Sequence, residues 1–150
     1  EDHPYETFVL EVVASEYIDD LLAKADELYF SRRMFPRIVV LLKITPFIRG
    51  RKQRFMAVLN QVPDVYIRVL ILIRNGTNRV SMTEVEIGSC DASGQKRTPT
   101  PTSVRLPVRD LYFGTNIPAA LQNITHLNVS LDDILDLLID DAEQEFLYNR

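Results

Sequence analysis

The stretch from Phe8 to Thr45 limits the fold more than any other: an apolar run, FVLEVVAS, then an amphipathic segment, then a second apolar run, RIVVLLKIT. Both runs are rich in β-branched residues and leucine, and Glu11 interrupts the first at its centre. A carboxylate inside a strand built for burial costs free energy unless it is paired, hydrogen-bonded or bound to a metal. Glu11 is therefore the first candidate for chemistry. The plain alternative is a strand carboxylate satisfied by Lys24, Lys43 or an arginine.

Between the two runs, Tyr17, Ile18, Leu21, Leu22, Ala25, Leu28 and Tyr29 fall on one helical stripe. That spacing predicts a helix from Glu16 to Ser31, with Ser15 as its N-cap and Asp19 and Asp20 at its positive end. Pro36 to Thr45 is almost continuously apolar, as in a strand covered on both faces, and strand–helix–strand order predicts a parallel, right-handed crossover. An unpaired edge on such a unit invites a second copy, so a homodimer is one expectation.

Beyond the basic connection Arg49-Gly50-Arg51-Lys52-Gln53-Arg54, residues 55–60 and 65–74 read as strands. Asn75-Gly76 suits the two central positions of a type I′ hairpin into Arg79 to Gly88. Asp91 to Thr102 has the composition of a solvated, flexible tip, and Pro107 ends a short strand from Val104. Leu131, Ile134, Leu135, Leu138, Ile139, Ala142 and Phe146 predict a closing helix capped by Ser130. The predicted class is α/β in the α+β sense: a mixed central sheet with a β-α-β nucleus, an antiparallel meander and a C-terminal helix.

With 150 residues and 46% hydrophobic content, one domain with one sizeable core is expected across 1–150. Glu1 is not a methionine, so the expectation includes a missing N-terminal segment. The longest apolar runs are about 5 residues, far short of the roughly 20 that cross a bilayer, so no membrane partner is expected. Cys90 is the only cysteine, which excludes an intrachain disulfide and fits an intracellular location, cytoplasm or nucleus. Three Asn-X-Ser/Thr triplets, at Asn75, Asn123 and Asn128, would matter only in a secretory route, as for a secreted effector. His3 and His126 lack zinc-ligand spacing, and no phosphate loop, nucleophile elbow or dinucleotide fingerprint is present.

FVLEVVASEY, a helix carrying Asp20, Lys24 and Tyr29, the strand RIVVLLKI, then VRLPVRDLYFG and LNVSLDDI opening a helix together resemble a Uma2-type restriction-endonuclease-like domain. Such domains belong to the PD-(D/E)XK nuclease-like superfamily, and the likeness is to divergent fungal members. The resemblance implies a restriction-endonuclease-like core and a site in which two carboxylates hold Mg²⁺ or Mn²⁺ beside a lysine, the metal polarising a phosphate and activating water. It puts Glu11 at the second acidic position, as catalytic residue and metal ligand, and Lys24 as a migrated catalytic cation. Two departures stand against activity. Val13 occupies the place of the usual lysine, and the strand of the first aspartate would precede Phe8, where Asp2, Glu6 and Glu16 are the nearest acids.

Charge is segregated. Leu28 to Pro63 holds eight Lys or Arg and no acid, Asp132 to Glu145 seven acids and no base, so the net charge of -4 conceals two opposed patches. Arg32, Arg33, Arg49, Arg51, Lys52 and Arg54, with Arg37, are the candidate nucleic-acid-binding residues, because neutralising phosphates releases counterions. Two functions are expected from these features. The first is a degenerate nuclease-like domain that binds protein or nucleic acid without a cofactor, as an effector or mobile-element protein. The second is an active Mg²⁺- or Mn²⁺-dependent nuclease using Glu11.

Overall fold

Alternation of buried side chains sorts each strand onto one of two faces. In Val65–Asn75, Val65, Ile67, Val69 and Ile71 enter one apolar cluster while Leu70 and Leu72 enter another. Ile38–Pro46 divides likewise, Ile38, Val40 and Leu42 against Val39 and Leu41. A strand that feeds two cores must lie inside a covered sheet, which is why both runs read as continuously apolar. The structure, a computed structural model, describes residues 7–13, 16–31, 36–46, 65–75, 79–98, 102–133 and 135–137.

The chain is mixed α+β. Four strands, β1 (Phe8–Val13), β2 (Ile38–Pro46), β3 (Val65–Asn75) and β4 (Arg79–Gly88), form a sheet in that order. β1 and β2 are parallel, from Phe8 opposite Ile38 to Val13 opposite Lys43, and β2, β3 and β4 run antiparallel. The β-α-β nucleus and the meander are thus as the sequence predicts. Helix α1 (Ile18–Ala25) and a π-helical turn (Asp26–Phe30) cross over between β1 and β2 and cover one face. Leu21 and Ala25 pack there on Val39, Leu41, Leu70 and Leu72. A second sheet of two strands, β5 (Ser103–Pro107) and β6 (His126–Ser130), covers the other face through Val104 and Leu106. Between β5 and β6 lie α2 (Val108–Leu111) and a 3₁₀ turn (Ala119–Leu121).

Several boundaries differ from the sequence reading. α1 starts at Ile18 with Tyr17 in extended conformation at the N-cap and no side-chain cap. Ser15, the expected cap, lies outside the described residues. Leu127 to Ser130, read as the opening of a helix, is strand, because Val129 pairs with Val104 and Leu127 with Leu106. Backbone pairing outweighs the helical pattern that follows it. Of the closing helix, residues 132–133 and 135–137 are helical, and 138–150 lie outside the described residues, as does the strand expected at 55–60. Asn75 pairs with Arg79, so it ends the ladder and does not occupy the hairpin tip. The expected flexible tip begins as an organised turn. The Asp91 carboxylate accepts from Ser93 Oγ at 2.7 Å, Ser93 N at 2.9 Å and Gln95 N at 2.9 Å, and these bonds hold its pKa below the usual carboxylate range.

Tyr66, on β3 and only 6% exposed, supplies a pH test of this packing. Burial first, and then its hydrogen bond to Glu86, push its pKa from 10.0 to about 12. A phenol harder to ionise when folded adds stability that is intact below pH 10.0 and is lost as pH rises through about 12. Wild type is expected to lose about 2 kcal/mol more than Tyr66→Phe across that window. Urea titrations of both proteins in parallel check this, and identical alkaline profiles would contradict it.

Candidate functional site

The parallel crossover returns the chain over the strand it left, so α1 lies above β1 and its side chains reach strand residues that precede them. Glu11 occupies the helix-facing side of β1 opposite Leu41, between Val9 and Val13, which pack toward α1. Its side chain is 16% exposed. Leu21 and Ala25 anchor α1 to the sheet, and Lys24, displaced round the helix from both, extends over β1.

There the ammonium of Lys24 donates to Glu11 Oε1, forming a close ion pair. The Tyr29 hydroxyl donates to the other oxygen, Oε2, at 3.0 Å. Lys24 also lies 3.7 Å from a Glu16 carboxylate oxygen. The bond to Glu11 leads in raising the pKa of Lys24 above its ordinary value, so this cation stays charged at any physiological pH. Lys24 therefore pairs back to the strand, and the short-range pair with Glu27 that helical spacing allows is not the one formed. Lys43, the other lysine candidate, stands opposite Val13.

Tyr29 was legible in the sequence as part of an apolar stripe and of the helix that carries the resemblance, but not as a partner of Glu11. On a regular α-helix, five residues of separation turn a side chain about 140° away from Lys24. The π-helical turn from Asp26 to Phe30 changes that phase and lets both side chains meet one carboxylate. Arg74 holds the end of this turn. Its guanidinium donates to Phe30 O at 3.0 Å and Tyr29 O at 3.4 Å and lies 5.3 Å from the Phe30 ring centre. Burial, with repulsion from Arg37 second, lowers its pKa.

The first ends of β1 and β2 carry a second polar cluster. Arg37 donates from Nε and Nη2 to Asp110 Oδ1 at 3.1 and 2.9 Å, and its guanidinium lies 4.3 Å from the Phe113 ring centre. Thr7 O accepts from the backbones of Arg37 and Ile38, and Thr7 Oγ1 donates to Leu111 O at 2.7 Å. Arg37, counted in the sequence among residues for phosphate contact, is committed to this internal pair. Arg32, Arg33, Arg49, Arg51, Lys52 and Arg54 lie outside the described residues.

Among the described residues, no three His, Cys, Asp or Glu side chains gather as a metal-binding group. The metal implied by the resemblance does not fit the Glu11 site as arranged. One oxygen faces an ammonium, the other a hydroxyl donor, and the second carboxylate, Glu16, lies 3.7 Å from the same ammonium. Among the described residues, no helix is long and apolar enough to cross a membrane. No family model, no curated protein and no solved structure matches the chain.

Proposed function

We propose that this chain is a nuclease-like domain of the PD-(D/E)XK type that has exchanged catalysis for binding, to protein or to nucleic acid, inside the cell. The supporting observation is that both oxygens of Glu11 are engaged within the chain, by Lys24 and by Tyr29. A nuclease carboxylate must keep lone pairs for a divalent cation. An ammonium at hydrogen-bond distance takes the place of that cation in charge and in position. Glu11 then ties α1 to β1, with the Lys24 pair partly solvated and the Tyr29 bond adding direction.

Calorimetric titration of Mn²⁺ and Mg²⁺ into the wild type and Glu11→Gln tests the reading. No saturable binding to either protein is expected, with the melting temperature of the variant lowered by a few degrees because the neutral amide keeps the Tyr29 bond and loses the ion pair. Saturable Mn²⁺ binding by the wild type that disappears in Glu11→Gln would instead favour a metal-dependent nuclease, to be assayed next on nucleic acid.

A further inference from the structure

We propose that the chain forms a two-fold dimer in which β1 pairs antiparallel with β1 of a second copy. Among the described residues, β1 is hydrogen-bonded to a strand on one side only, by β2. Apolar side chains remain exposed on both faces beside the other edge. Phe8, Leu10 and Val12 are 38%, 50% and 51% exposed on the face away from α1. On the helix side, Tyr17 and Leu28 are 80% and 43% exposed.

Sheet edges are ordinarily protected by lysines, prolines, bulges or short length. FVLEVV has no proline and no lysine, and its one charge is neutralised from within by Lys24. β4, the opposite edge, carries more polar and charged side chains: Ser81, Thr83, Glu84 and Glu86 are exposed on it beside Met82, and Glu84 is paired with Arg68. Head-to-tail association of β1 with β4 of another copy would set an apolar strand against a charged one. A second copy of β1 offers an apolar strand instead, with no net charge on either side of the new ladder.

Symmetry selects the register. Antiparallel neighbours in one sheet are related by a two-fold normal to it, which preserves faces, so paired residues have the same parity and the axis passes beside one residue. An axis at Glu11 would oppose two carboxylates, whereas an axis at Leu10 sets Glu11 against Val9 and Phe8 against Val12. That register joins Phe8, Leu10 and Val12 of both copies into one apolar surface and gives a continuous sheet. The inference is independent of the proposed function, since it holds whether or not Glu11 ever meets a metal.

Sedimentation equilibrium of the wild type is expected to show a dimer with Kd on the order of 10 μM, as suits a small interface. Leu10→Lys, on an exposed side chain, is expected to be monomeric with an unchanged circular dichroism spectrum. Leu10→Cys supplies the register test, because the native Cys90 is fully buried. Residues directly opposite have Cα atoms about 4.5–5.5 Å apart, within disulfide reach, while Val12 and its symmetry mate would be roughly 13 Å apart. Oxidation should therefore cross-link Leu10→Cys and leave Val12→Cys without a covalent bond between the copies. A wild type that stays monomeric at about 500 μM, which would leave the edge to a different chain, overturns the proposal. So does a dimer that persists in Leu10→Lys, or equal cross-linking of the two cysteine variants.

Discussion

Replacing Gly88 with alanine is expected to remove about 3–5 kcal/mol of stability, a third or more of what a domain of this size commonly has. Two causes act together. Gly88 adopts φ +135, a conformation that L side chains rarely take. An added Cβ would also overlap the carbonyl oxygen of Val65 and lie 3.1 Å from Tyr66 Cα. Neither neighbour is free to retreat. Val65 O accepts the backbone N–H of Ser89 at 2.9 Å, Val65 N donates to Ser89 Oγ at 2.9 Å, and Tyr66 is the register partner of Gly88. Relief of the clash must therefore break the β3–β4 ladder where β4 bends around Val65. Gly114→Ala separates the two causes: it has φ +80 and nothing within 4 Å of the added atom, so it should cost only about 1 kcal/mol. Urea denaturation of the three proteins measures both quantities. A Gly88→Ala loss no larger than that of Gly114→Ala would mean that the β3–β4 junction yields easily.

The β-α-β nucleus was legible because both kinds of evidence for it are local. Ile38 to Leu42 is buried without interruption, so its sequence had to be apolar without interruption. The helix between the strands carries its stripe at regular spacing up to Ala25. That Glu11 has a cationic partner was legible for a related reason, since a buried carboxylate needs one, but the sequence left Lys24, Lys43 and the arginines as alternatives, and the crossover selects Lys24. Tyr29 was not legible in its role. Its contact depends on a π-helical turn, whose end is held by Arg74, forty-five residues further along the chain. β6 was missed although HLNVS alternates polar and apolar residues, because five residues give a short signal beside the helical stripe that follows, and its pairing with β5 is a property of two segments at once. The apolar strand around it marked Glu11, and the structure shows that Lys24 and Tyr29, both on the segment that follows, are the donors to its two oxygens.

Replacing Arg74 with methionine is expected to destabilise the protein by about 2–4 kcal/mol, although it removes a buried charge. Exchange of a buried ion pair for apolar groups is often neutral or stabilising, because both desolvated partners leave together. Arg74 also holds the main chain. It serves two backbone carbonyls, Tyr29 O and Phe30 O, which would remain after the substitution. Losing a donor to a buried acceptor costs about 1–3 kcal/mol, and the cation also complements the negative end of the helix. These terms outweigh the relief of desolvation in a side chain whose exposure is 3%. Arg74→Lys should recover only part of the loss, because an ammonium keeps the charge and not the planar guanidinium that faces the Phe30 ring. If Arg74 sets the phase of the π-helical turn, its removal should also release Tyr29 from Glu11. A double-mutant cycle with Tyr29→Phe then yields a coupling of about 0.5–1 kcal/mol, since the second substitution deletes a bond already weakened by the first. Strict additivity in chemical denaturation would show that Arg74 caps the turn without positioning Tyr29.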